Sequence, residues 1–124
     1  IAGRVRFLGH RSDVRRLMAS ADVHCQPNTG PEPFGLAYVE ALGAGLPVVA
    51  SGFGGAAEII TPACGVLTTP GDPGAVAAAL RELIANPGRR AELGAAGPDR
   101  ARELCDPAAR LGDFARALAR GGHA

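Results

Sequence analysis

The chain has 124 residues, a formal net charge of +1 and 47% hydrophobic residues, enough for one domain or part of one. Only 4% of residues are aromatic and all 13 basic residues are Arg, so any core must be built from Ala, Val, Leu and Ile. The near-neutral balance argues against a nucleic-acid binder, which concentrates positive charge on one face. The excess of Arg, Ala and Gly reads as GC-rich coding sequence rather than as a functional mark. No signal-peptide pattern or membrane-length apolar run is present, so a soluble, cytoplasmic setting is the expectation. Cys25, Cys64 and Cys105 form no C-x-x-C pair, which indicates neither a zinc site nor a disulfide framework. Each is expected to be a small buried residue in a reducing compartment.

In chain order, Arg4-Val5-Arg6-Phe7-Leu8 alternates polar and apolar and predicts a strand. Gly9-His10-Arg11 is a turn, after which Ser12 or Asp13 caps a helix to about Ala21, with Val14, Leu17 and Met18 inward. Val23 to Gln26 is a second strand, and Pro27 to Pro31 a loop of helix breakers. A helix is predicted from Phe34 to Ala44, and Leu46 to Ala50 is a continuously apolar strand of the kind buried on both faces. Ser51 to Gly55 is a glycine-rich loop, followed by a short helix over Ala56 to Ile60 and a fourth strand over Gly65 to Thr68. Asp72-Pro73 starts a helix to about Asn86 with Val76, Leu80, Leu83 and Ile84 as its buried stripe. Pro87 restarts a helix that Gly97-Pro98 should end or kink. Asp106-Pro107 opens the last helix, with Leu111, Phe114 and Leu118 in a row. Residues 121–124 read as a frayed tail, leaving 1–120 as the domain. Alternating strands and helices imply an α/β fold: a parallel sheet with helices on both faces. Ligands bind such sheets at the carboxyl ends of the strands. The loops at Gly9–Arg11, Pro27–Glu32 and Ser51–Gly55 should therefore open on one edge.

The chemistry concentrates in Pro31 to Pro47, where Glu32 and Glu40 bracket seven uncharged residues. The helix between them is apolar nearly all round, which predicts burial. An unpaired buried carboxylate is costly, so Glu40 needs a hydrogen-bond partner. Gly45 and Pro47 form a fitting stop. The helix start offers free N–H groups at Phe34, Gly35 and Leu36, with no side chain at Gly35 to block approach, and such a start suits a phosphate. The expectation is a cradled diphosphate, with sugar hydroxyls donating to the two carboxylates on either side.

E-P-F-G-L-A-Y-V-E, followed by A-L-G-A-G-L-P-V-V-A-S and G-G-A-A-E-I-I, resembles the E-x7-E region of retaining glycosyltransferases of family four, which have the GT-B fold. The upstream R-F-L-G and A-D-V and the downstream G-V-L fall where that family has them, so the resemblance covers nearly the whole chain. It implies a Rossmann-like fold and the later part of a nucleotide-sugar-binding C-terminal domain. By it, Glu32 contacts the donor sugar near the reacting carbon. The amides of Phe34, Gly35 and Leu36 hold the diphosphate and sugar, Glu40 binds the ribose, and Gly9, His10 and Arg11 lie near the base. The implied reaction moves a sugar from a nucleoside diphosphate sugar to an acceptor sugar, lipid or small molecule, with retention. No metal or other cofactor is expected. The resemblance also implies an acceptor-binding N-terminal domain, through which any membrane-surface association would run, and a first strand and loop with an Arg and a Lys for the diphosphate. Neither is in this sequence, which has no Lys and begins at Ile1; the expectation is a fragment that does not turn over.

The plainer readings are specific. Glu32 could be a solvated carboxylate at a helix start, and Glu40 a partner for an Arg. Glu58 could tie down the glycine-rich loop, which is not a P-loop because no G-K-[ST] follows. His10 reads as a turn residue, His24 and Tyr38 as core, His123 as tail, and Arg15, Arg16, Arg89 and Arg90 as solvated. The alternatives to a transferase are a non-catalytic nucleotide-sugar-binding or interaction module on the same scaffold, and another GT-B enzyme such as a nucleotide-sugar epimerase.

Overall fold

The computed structural model describes residues 2–121. A single 3-10 turn, Ala2–Arg4, precedes helix α1 (Val14–Ala19), strand β1 (His24–Gln26), helix α2 (Leu36–Gly43), strand β2 (Val48–Ser51) and helix α3 (Gly55–Ile59). Strand β3 (Gly65–Thr68) and helices α4 (Pro73–Ala85), α5 (Pro87–Cys105) and α6 (Pro107–Gly121) complete the order. The three strands are parallel and lie in the order β1-β2-β3, with Val48 paired to His24 on one side and to Gly65 on the other.

The central strand explains the layers. Every residue of β2 is buried, and successive side chains point to opposite faces. Val48 and Ala50 join a core with Tyr38, Ala41 and Leu42 of α2, Ile59 of α3 and Ala101 of α5. Val49 faces the other way, onto Ala79 and Leu83 of α4 and Leu93 of α5. The sheet is thus covered on both sides, as its uninterrupted apolar sequence requires. Burying a side chain such as Leu42, fully enclosed here, contributes about 2 kcal/mol.

Local signals set the helix ends. Asp72 Oδ1 accepts from the Ala75 N–H at 3.0 Å, with Pro73 in the first turn of α4. Asn86 Oδ1 does the same for the Arg89 N–H at the start of α5. At the end of α2, Gly45 takes φ +76; its N–H bonds Leu42 O and the Leu46 N–H bonds Ala41 O, both at 3.0 Å, which is a Schellman stop.

Several expectations are corrected. Residues 4–8 form no strand among the described residues, and Phe7 is 97% exposed. A strand exists only through its neighbour's hydrogen bonds, and residues 4–8 pair with no strand among the described residues. The loop at Gly9–Arg11 consequently follows no strand. Helix α1 ends at Ala19, with Val14 and Leu17 exposed and Met18 half-buried. Helix α5 runs through Pro98 rather than ending there. Pro98 removes one backbone bond, but the burial of Leu93, Gly94, Gly97 and Ala101 along the same helix holds it together. Gly97 packs so closely on α2 that a Cβ there would lie 2.6 Å from Leu42 O, and one on Gly94 would overlap Gly45 O. On α4, Ala79 and Leu83 are buried while Ile84 is exposed. Leu111, Phe114 and Leu118 of α6 are each more than 60% exposed. Of the cysteines only Cys64 is buried; Cys25 and Cys105 are exposed. Gly121 closes α6, and the expected tail beyond it, His123 included, lies outside the described residues.

Candidate functional site

The loop between β1 and α2 leaves the carboxyl edge of the sheet at Gln26. Asn28 turns it at once, its N–H donating to Gln26 O at 3.1 Å. The stretch from Pro31 to Gly35 then lies on the loop after β2. The Gly55 N–H donates to Glu32 O at 2.8 Å. A Cβ on Gly54 would stand 2.8 Å from Glu32 O, and one on Gly55 would overlap Phe34 O. The glycine-rich loop is therefore the bed on which the Glu32 loop rests, and its small residues are required for that approach. Glu58 is exposed and takes no part through its side chain; its carbonyl, with that of Ile59, accepts from Arg100.

Helix α2 begins at Leu36, two residues later than its sequence suggests. Gly35 is the N-cap at φ +88, a left-handed conformation that favours Gly. Any side chain there would also collide with the Tyr38 ring. The Tyr38 N–H closes the first turn on Gly35 O at 3.0 Å, while the N–H groups of Phe34, Gly35, Leu36 and Ala37 donate to no acceptor among the described residues. Four adjacent amides at a helix start, with its positive dipole end, make a site for an anion.

Around these amides stand the acidic groups. The Glu32 carboxylate is half-buried and accepts from Asn28 Nδ2 at 3.4 Å. The same Asn28 nitrogen donates to the Tyr38 hydroxyl at 3.3 Å. Tyr38 is 1% exposed, and burial, followed by the nearby Glu32 charge, pushes its phenol above the usual range. Its ring meets His24 edge-on, centroids 6.2 Å apart. Burial holds the His24 imidazole below its ordinary value.

Glu40 is exposed, which corrects the expectation of a buried carboxylate in need of a protein partner. The helix is one-sided: Tyr38, Val39, Ala41 and Leu42 face inward, while Leu36, Glu40 and Gly43 share the outer stripe. Leu36 and Glu40 are neighbours at i and i+4, about 6 Å apart, so the second carboxylate stands one turn along from the free amides. It lines a cavity of about 400 Å³ between α1 and α2, with Arg15, Met18 and Ala19 on the far wall. Arg15, read from sequence as a solvated helix residue, thus faces the same space.

The loop at Gly9, His10 and Arg11 is exposed, and among the described residues no hydrogen bond or ion pair joins it to the α2 start. Arg11 donates to both Asp13 carboxylate oxygens, at 2.7 and 2.6 Å, which raises its own pKa and lowers that of Asp13. Among the described residues no three His, Cys, Asp or Glu side chains cluster to hold a metal ion, and no helix is long and apolar enough to cross a membrane. Asn28 and Tyr38 were not legible as site residues. The signal available was the hydroxyl of the chain's single Tyr in an apolar helix, where a buried O–H needs a partner.

A parallel α/β sheet whose carboxyl edge carries an amide-lined helix start and flanking carboxylates defines a domain of the nucleotide-binding kind. Residues 1–100 match the family model for glycosyl transferases group 1, and the chain belongs to that family. It is 42% identical over 101 residues to a phosphatidyl-myo-inositol mannosyltransferase of Mycobacterium leprae, covering 79% of this chain and 27% of that protein. It is 36% identical over 105 residues to a GDP-mannose-dependent monoacylated alpha-(1-6)-phosphatidylinositol monomannoside mannosyltransferase of Corynebacterium glutamicum, covering 78% of this chain and 28% of the relative. Among solved structures, Anabaena Alr3699/HepE in complex with UDP superposes with a TM-score of 0.86 at 35% identity, over 96% of this chain and 33% of that one. The chain therefore spans about a third or less of the length of these proteins.

Proposed function

We propose that this chain is the donor-binding part of a retaining glycosyltransferase that moves a sugar from a nucleoside diphosphate sugar to an acceptor. The observation that carries the reading is the row of unpartnered amides from Phe34 to Ala37, with the Glu32 carboxylate beside it and Glu40 one turn away. The amides and the helix dipole meet the diphosphate, whose negative charge grows as the glycosidic bond breaks. Glu32 sits against the donor sugar near the reacting carbon, and Glu40 accepts from ribose hydroxyls. Gly9, His10 and Arg11 form the base side of the site. The relatives supply the substrate class: one neighbour is solved with UDP-glucose, and one relative is named GDP-mannose-dependent. Two relatives are named for phosphatidylinositol acceptors, which favours a lipid among the acceptor classes. Arg11 is engaged by Asp13 and the chain has no Lys; Arg15 faces the cavity that Glu40 lines, and further cations for the diphosphate, like the acceptor site, are assigned to the rest of the enzyme. The chain alone is expected to bind donor weakly without turnover. No metal enters the reading.

The test uses the full-length enzyme. Glu32→Ala should lower transfer by about 10² to 10³-fold, the range for losing one group that stabilises a transition state, with the fold intact by circular dichroism. Glu40→Ala should chiefly weaken donor binding, by about tenfold. Unchanged turnover in the first variant removes Glu32 from the mechanism. Donor binding without transfer in the unaltered protein would make it a nucleotide-sugar-binding module.

A further inference from the structure

We propose that Asn28 and Tyr38 are positioning residues that aim the Glu32 carboxylate at the donor sugar; this rests on the reading of Glu32 given above. A glutamate on a loop turns about three bonds, so a fixed aim needs a partner. Asn28 supplies it. Its own N–H is tied to Gln26 O at 3.1 Å, at the end of β1, so its side chain starts from a fixed point of the sheet. Its Nδ2 then spans Glu32 Oε2 at 3.4 Å and the Tyr38 hydroxyl at 3.3 Å. Glu32 Oε1 has no hydrogen-bond partner among the described residues and is the oxygen left for a ligand.

Tyr38 is more than packing. A buried ring at this position needs no hydroxyl to fill space, and a buried hydroxyl costs stability unless it is hydrogen-bonded. Here the ring is locked from two sides: Gly35 leaves no room above it, and His24 meets its edge. The hydroxyl is therefore a rigid point that holds the Asn28 amide in register. Burial, then the nearby Glu32 charge, raises the phenol's pKa, which disfavours its anion further. The order of support runs from core to site: His24, Tyr38, Asn28, Glu32.

The full-length enzyme, assayed with UDP-glucose and GDP-mannose against UDP and GDP alone, separates positioning from scaffolding. Asn28→Ala should lower kcat by about tenfold and Tyr38→Phe by roughly threefold, as expected for one hydrogen bond to a charged group and for its indirect support. Both should bind the bare diphosphate as before, while the extra affinity contributed by the sugar shrinks. Asn28→Asp, which faces Glu32 with a like charge, should lose more than Asn28→Ala. In a Glu32→Gln background neither substitution should add much. A parallel fall in bare-diphosphate affinity, or losses that multiply in the Glu32→Gln background, would overturn the pair while leaving Glu32 its role. Wild-type turnover in Glu32→Gln alone would overturn both.

Discussion

Strand β2 and the segment from Arg4 to Leu8 both read as strands, yet they end in opposite states. Val48, Val49 and Ala50 are fully enclosed. Val5, Phe7 and Leu8 stand about half exposed or more. The difference lies outside both segments. Strand β2 has a parallel neighbour on each side and helices over each face, whereas no element among the described residues pairs with 4–8. An apolar pattern states what a segment is able to bury. Whether it does so depends on partners, often far away in sequence. Helix α6 teaches the same lesson with a 3.6-residue period, since its Leu111, Phe114 and Leu118 row stays mostly exposed.

Substitutions can break or sharpen this contrast. The largest effect is expected at Gly65, where a Cβ would collide with Val48 O and prise β3 from β2. Gly65→Ala should cost about 3 kcal/mol, as overpacking does, visible as a lower urea midpoint. Asp72→Ala removes the bond to the Ala75 N–H and should cost about 1 kcal/mol. A smaller effect comes from His24. Burial holds its folded-state pKa below 6.5, so between that value and 6.5 the unfolded chain binds more protons. Stability should therefore be full above pH 6.5, fall as the pH drops through this window, and level off once the folded imidazole is also charged. The slope should flatten in His24→Gln, measured by urea titration at several pH values. Phe7→Ser should change stability by no more than about 0.5 kcal/mol. A loss well above that would show that residues 4–8 are packed in solution and would collapse the comparison.

The legible parts of the chain were those governed by local chemistry. Asp72-Pro73 marked a cap, Gly45-Pro47 a stop, and Leu46 to Ala50 a buried strand, because each signal acts within a few residues. The illegible parts depended on distant contacts. Gly97-Pro98 reads as an end or a kink, and the docking of Gly94 and Gly97 on α2 helps to carry the helix through it. The start of α2 lies two residues beyond where its sequence suggests, because Gly35, rather than Pro33, sets it by turning left-handed over the Tyr38 ring. Within the candidate site, the sequence pattern places the Glu32 loop and the head of α2 side by side, and they are adjacent in the fold. The exposure of Glu40 was not, because the composition of α2 concealed that its outer stripe is only three residues wide. Nor was the role of Gly54 and Gly55, which serve the loop above them.

The seating of Gly94 and Gly97 against the far end of α2 has a mechanical consequence. Helix α2 is a strut about 12 Å long, gripped at its tail by α5 and held at its head by the loop that rests on Gly54 and Gly55. A methyl group added at Gly94 or Gly97 would press on the tail, and a short stiff rod passes that thrust on to its other end. The amides at Phe34 to Ala37 stand at that other end, so the packing of Gly94 and Gly97 bears on how the helix start is aligned.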